Sequence, residues 1–175
     1  RAMDTASILD ELARVGVRAD RATFEAATAS HASAWRLSET WKAAPSADAE
    51  FLGLAACELW RRFLPERPSL EGLEERMQDG YEALDLQEPR RACTIWIAFL
   101  HALMDRLPPE IETLESVDDV FPGLNTFGNW LGDFEVELHN TSLRDRDLAR
   151  DGAAVLERTA LRFSGPRSRR DVRQQ

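Results

Sequence analysis

Residues 55–64 read AACELWRRFL, and residues 91–100 read RACTIWIAFL. At an offset of 36 residues the two stretches share the pattern Ala-Cys-x-x-Trp-x-x-Phe-Leu. A recurrence at such a spacing is typical of helical repeat proteins, in which each repeat buries the same apolar stripe against its neighbour. The predicted core of this repeat consists of Cys57, Trp60, Cys93 and Trp96.

Apolar residues around both copies follow a helical period. In the second copy the stripe advances in steps of three and four residues, as expected for one face of an α-helix. Its members are Cys93, Trp96, Leu100, Leu103 and Leu107. The first copy has the same spacing, so each copy is predicted to form one helix of a helix pair.

Capping residues and prolines divide the chain into eight predicted helices, and strand patterns are nearly absent. One of these helices is predicted to break near Ser30. The predicted ranges are 4–16, 20–44, 46–64, 69–84, 89–107, 113–120, 125–139 and 142–163. No linker separates them, so we expect a single domain over 4–163.

The fold class predicted is all-α, with antiparallel helix pairs stacked as a right-handed, TPR-like superhelix. SLEGLEE at 69–75 resembles TLESVDD at 113–119, which extends the repeat into the second helix of each pair. A strict tetratricopeptide signature is missing, and chance similarity between two amphipathic helices is the alternative.

The net charge of −9 is unevenly distributed. Residues 164–175 carry four arginines and one aspartate, which leaves −12 on the remainder. An acidic body argues against nucleic-acid binding, which needs a basic face. The tail is predicted to be disordered and basic; it is either a solvated terminus or a short segment that binds nucleic acid or an acidic partner.

The chain shows no apolar run long enough to span a membrane and no stretch that resembles a signal peptide. Its two cysteines lie among apolar neighbours, which is typical of reduced, buried thiols. We therefore expect a cytoplasmic protein without a membrane partner.

Three stretches resemble a helical region of bacterial SEC-C motif-containing proteins of unassigned function. They are LWRRFLPERPSLEGLEERMQDGY at 59–81, TIWIAFLHALM at 94–104 and NWLGDFEVELHN at 129–140. The similarity covers about half of the chain, roughly 50–140. Two departures are a leucine, Leu100, where that family usually has a second tryptophan, and the absence of its cysteine-rich zinc motif. The resemblance implies an adaptor or scaffold and brings no reaction with it.

The densest polar pattern is a stripe at one-turn intervals in the helix predicted over 125–139. Asn129, Asp133 and Glu137 form this polar stripe beside an apolar arc. One interpretation is structural. At least one carboxylate is then buried and paired with an arginine of the next helix or with backbone N–H groups, and this pairing stabilises the packing of the last helix pair. The alternatives are a partner-binding edge and a catalytic carboxylate pair, Asp133 and Glu137, in a groove.

Aromatic residues provide the other candidate surface. Trp35, Trp41 and Tyr81 are groove candidates, although core packing is the favoured explanation for the two tryptophans. His31 and His101 are isolated, and the cysteines lack a neighbouring cation that would activate a thiolate. The sequence contains no phosphate-binding loop and no set of metal ligands, so we predict no cofactor, no metal and no catalytic residue.

These observations predict a non-catalytic helical-repeat adaptor that binds a protein or peptide, most simply a basic one because the body is acidic. The alternative is an enzyme that uses Asp133 and Glu137. The partner's identity and the oligomeric state are left open by the sequence.

Overall fold

The computed structural model describes residues 3–121, 123 and 125–163, and these residues form nine helices and no strand. The all-α prediction is confirmed. The helices are α1 (Thr5–Arg14), α2 (Arg21–Thr28), α3 (Ala34–Glu39), α4 (Ala49–Phe63), α5 (Leu70–Asp85), α6 (Pro89–Arg106), α7 (Leu114–Val120), α8 (Phe127–Ser142) and α9 (Arg146–Phe163). The tail predicted to be disordered, 164–175, lies outside the described residues.

Several helices begin where capping chemistry predicts. The Asp4 carboxylate accepts a hydrogen bond from the Ser7 N–H at 2.7 Å, and Thr113 forms a capping box with Ser116. Pro89 is the first residue of α6, where its missing N–H costs nothing because that position has no helical partner. Local sequence therefore determines these starts.

The break predicted near Ser30 in the stretch 20–44 is confirmed, because this stretch forms two helices, α2 and α3. After α2, the hydroxyls of Thr28 and Ser30 donate to carbonyl groups three residues earlier, an alternative to continued helix. Ser33 then caps a new helix by accepting the Arg36 N–H at 3.1 Å. The chain leaves α3 at Thr40, before the predicted stop at Pro45.

Three predicted caps are wrong by one to three residues. Asp48 caps α4 in place of Ser46, and Thr126 caps α8 in place of Asn125. Ser142 remains inside α8, and the Asp145 carboxylate accepts the Leu148 N–H at 3.0 Å at the start of α9. In each case several polar residues compete for the position, and local pattern does not distinguish among them.

The chain divides into two compact units, Arg1–Leu73 and Glu74–Gln175. The single domain predicted over 4–163 stays a prediction.

In the first unit, α4 packs against α1, α2 and α3. Trp60 is 1% exposed, and its indole N–H donates to the Arg67 carbonyl at 2.7 Å. The Phe24 ring meets the Trp60 ring edge-on, with 6.1 Å between centroids. This aromatic contact attaches α2 to the centre of the unit.

In the second unit, α6 packs against α8 and α9. Trp96 is fully buried, and its indole N–H donates to the Met77 carbonyl of α5 at 2.9 Å. The rings of Tyr81, Trp130 and Phe134 lie edge-on to it, with centroid distances of 5.0, 6.0 and 6.1 Å. Trp96 is thus the centre of an aromatic cluster that joins α5, α6 and α8.

The two copies of the repeat differ in their local surroundings. Trp60 and Trp96 are both buried, but Cys57 is half-buried whereas Cys93 is fully buried. The indole of Trp60 bonds to the loop after its own helix, and that of Trp96 bonds to the preceding helix. Structural equivalence of the two copies stays a prediction.

Candidate functional site

The polar stripe of α8 is more exposed than predicted. Asn129 and Asp133 are exposed, and Glu137 is half-buried. The expectation of burial for Asp133 or Glu137 is wrong for Asp133, and Glu137 is only partly buried. The buried arc of α8 consists of Phe127, Trp130, Leu131, Phe134 and Leu138, and it leaves the stripe on the flank of the helix.

The partners of the stripe also differ from those expected. The Tyr81 hydroxyl of α5 donates to Asp133 Oδ2 at 2.7 Å, and Asn125 Nδ2 donates to the Tyr81 oxygen at 3.2 Å. The Thr141 hydroxyl donates to Glu137 Oε1 at 2.9 Å. No arginine contacts either carboxylate among the hydrogen bonds of the described residues.

The arginines of α9 bind the C-terminal end of α6 instead. Arg158 pairs with Asp105 at 2.6 Å, and Arg162 donates to the carbonyl groups of Leu107 and Pro108 at 3.1 and 2.5 Å. Cations at a helix C-terminus interact favourably with its unsatisfied carbonyls. These arginines therefore attach α9 to α6, α9 also packs against α8, and Asp133 is the residue of the stripe that is bonded to Tyr81.

The tyrosine that donates to Asp133 has a strongly shifted pKa. Burial, followed by the hydrogen bond to Asp133, raises the pKa of Tyr81 to about 12. A phenol with so high a pKa neither gains nor loses a proton readily near neutral pH. The Tyr81–Asp133 contact is thus suited to join α5 to α8.

Cys93 lies near the other end of the stripe. Burial raises the pKa of its thiol to about 11; the hydrogen bond with Thr141 opposes this rise, and the Glu137 carboxylate adds to it. A fully buried, protonated thiol is a poor nucleophile. The described residues contain no group of three or more His, Cys, Asp or Glu side chains that could hold a metal ion.

The aromatic candidates are divided between the two units. Trp35 and Trp41 belong to the first unit and Tyr81 to the second. Trp41 and Tyr81 are half-buried, whereas 39% of the Trp35 surface is exposed. Only Trp35 therefore presents a large aromatic surface to solvent.

The indole ring of Trp35 lies against α4 at a glycine. A Cβ atom added to Gly53 would fall 2.1 Å from Trp35 Cζ3, so only glycine permits this approach. The next residue, Leu54, is 56% exposed. Trp35, whose ring lies at Gly53, and Leu54, the residue after that glycine, are thus both exposed apolar side chains, and we name the two together the Trp35 surface.

Carboxylates flank the Trp35 surface. Glu39 lies one turn after Trp35 on α3, and Glu50 lies one turn before Leu54 on α4, so both face the same side as their apolar neighbours. Both side chains are exposed, and the described residues include no ion pair with either. The surface therefore combines an apolar centre with an acidic edge.

The start of α3 is bound by a carboxylate distant in sequence. Glu71 accepts hydrogen bonds from the Ser33 hydroxyl at 2.5 Å, the Ala34 N–H at 2.9 Å and the Trp35 N–H at 3.2 Å. Burial opposes ionisation, but the hydrogen bonds from Ser33 and the Ala34 N–H outweigh it and lower the pKa of Glu71. The carboxylate is thus charged at neutral pH.

Sequence reasoning missed Glu71, Gly53 and Leu54 as contributors to a surface. A glycine in the middle of a helix often marks a place where another residue packs closely against the backbone. Gly53 is such a glycine, so this signal was present in the sequence. Glu71 carries no local signal, because its partners lie 36 to 38 residues earlier.

No protein-family model, no curated protein and no solved structure matches this chain. No helix among the described residues has the length and apolar character required to cross a membrane.

Proposed function

We propose that the protein is a non-catalytic helical adaptor that binds a protein or peptide partner through the Trp35 surface. The observation that carries this proposal is the exposure of Trp35 beside Leu54, with the indole ring in contact with Gly53. Tryptophan is enriched among the residues that dominate binding energy at interfaces. A ring already fixed in place loses little conformational entropy on binding.

The partner that fits this surface is a basic segment with an apolar residue at its centre. An apolar side chain would contact Trp35 and Leu54, while lysine or arginine side chains on either side would reach Glu39 and Glu50. The net charge of −9 would also accelerate the approach of a basic partner at low salt.

Three further predictions from the sequence belong to the same proposal. TPR-like stacking of helix pairs, kinship with the SEC-C motif-containing proteins and a cytoplasmic location are each consistent with an adaptor. The alternative enzyme based on Asp133 and Glu137 has less support, because Asp133 is exposed and bonded to a tyrosine with a raised pKa.

Selection of a random peptide library on the immobilised protein tests the proposal. We expect enrichment of peptides with lysine or arginine flanking an apolar residue, and their loss when Trp35→Ser is used as bait. Leu161→Ser is the matched control, because Leu161 is 66% exposed but lies in the second unit. Equal enrichment on the Trp35→Ser and wild-type proteins would refute this surface as the binding site.

A further inference from the structure

The helix that carries Trp35 is too short to be stable by itself. α3 has six residues, whereas isolated helices shorter than about 12 residues are marginal in water. Its stability must come from contacts outside it. Ala34 and Leu37 are buried in the core of the first unit, and the exposed face receives no such support.

The first turn of α3 has four backbone N–H groups without a partner in the preceding turn of helix. Two of these, from Ala34 and Trp35, donate to Glu71. The Arg36 N–H donates to the Ser33 hydroxyl oxygen, and that hydroxyl donates in turn to Glu71. The carboxylate therefore satisfies two donors directly and orients the side chain that satisfies a third.

Trp35 is thus fixed at two points. Glu71 binds its backbone, and Gly53 accommodates its ring. If the carboxylate is lost, the start of α3 is free to unwind, and the ring loses the backbone position that places it on α4.

We propose that Glu71 is a positioning residue for the Trp35 surface: it keeps α3 folded and thereby sets the affinity for the partner. This inference rests on the proposed function. A protein whose binding-competent state is only partly populated binds more weakly in proportion to that fraction. Glu71 does not itself contact the partner in this proposal.

Glu71→Gln tests the inference because it removes the charge and keeps the shape. Loss of charge-assisted hydrogen bonds is expected to leave α3 folded in only about a tenth of the molecules, which corresponds to a Kd about tenfold weaker. The probe is a peptide selected on the wild-type protein. Glu66→Gln is the control, because Glu66 is an exposed carboxylate of the same unit with no side-chain hydrogen bond among those described.

Amide hydrogen exchange supplies a second readout in the absence of peptide. In Glu71→Gln we expect residues 34–39 to lose nearly all protection, while α4 keeps the protection of the wild-type protein. If α4 also loses protection, Ser33→Ala serves as the milder variant, with a smaller loss in α3 and a smaller change in Kd in the same direction.

Three results would overturn the inference: unchanged protection of α3, lost protection with an unchanged Kd, or the same weakening in Glu66→Gln. A wild-type protein that selects no peptide refutes the proposed function instead. The exchange experiment separates the two failures, since it measures the effect of Glu71 on α3 without any partner.

Discussion

Replacement of Gly80 by alanine should destabilise the second unit, although alanine is the better helix former. A Cβ atom at position 80 would fall 2.0 Å from Trp96 Nε1 and 2.5 Å from Trp96 Cδ1. Trp96 is fully buried and surrounded by other rings, so it has no free space into which to move. Its indole N–H would also lose the 2.9 Å hydrogen bond to Met77.

Three contributions determine the size of the effect. Overpacking of a core costs about 1–3 kcal/mol, and a buried donor without an acceptor costs about 1–3 kcal/mol. The helix propensity of alanine over glycine returns roughly 1 kcal/mol. Together these give an expected net loss of about 1–5 kcal/mol in the free energy of unfolding.

Urea denaturation followed by circular dichroism measures this loss. With a slope of about 2 kcal/mol per molar, the midpoint should fall by roughly 0.5–2.5 M. Gly132→Ala is the matched control, because Gly132 lies in the interior of α8 and an added Cβ would meet nothing within 4 Å. That variant should gain about 0.5–1 kcal/mol.

A Gly80→Ala midpoint equal to or above that of the wild-type protein would refute the argument that Trp96 requires glycine at this position. A loss of the same size in Gly132→Ala would show that alanine is harmful for a reason other than the close approach of Trp96.

Three further predictions follow from the pKa shifts. The pKa of Glu71 is lower in the folded protein than in the unfolded chain. The ionised carboxylate therefore contributes its full share to the free energy of unfolding above the ordinary carboxyl pKa, and this share is lost as the pH falls through the pKa of the folded protein. Glu71→Gln should accordingly flatten the acid side of a curve of stability against pH. Cys93, with a pKa raised to about 11, should react with a thiol reagent at pH 8 far more slowly than half-buried Cys57, and equal rates of modification would contradict its burial. Asp133→Asn should lower the pKa of Tyr81, the single tyrosine, in an absorbance titration at alkaline pH, and it should cost less than about 1 kcal/mol of stability because the carboxylate is exposed.

Helix positions were largely predictable because they depend on residues close in sequence. A cap such as Asp4 accepts an N–H three residues later, and Pro89 acts at its own position. The break near Ser30 was also predicted, but the bounds of α3 after it were not. Thr28 and Ser30 tolerate both helix and turn, and the buried contacts of Leu37 with the core determine where α3 lies.

For the candidate site, the sequence identified Trp35 as a candidate residue but did not predict that its side chain is exposed. Trp35 was a groove candidate from its spacing to Trp41, but its exposure depends on which face of α3 packs against α4. The prediction that at least one of Asp133 and Glu137 is buried and paired with an arginine or with backbone N–H groups failed at Asp133 for a related reason. Helical periodicity places Asp133 beside the apolar arc, yet it does not show that Tyr81 lies opposite it.

The sequence by itself determined the all-α class, most helix starts and the burial of Trp60 and Trp96, because helical period and capping act within four residues. Only the tertiary structure decided that Glu71 binds the start of α3 and that Gly53 admits the ring of Trp35. Those contacts join residues 18 to 38 positions apart. The way in which whole helices pack determines which of these distant residues meet, and no local sequence pattern specifies that packing.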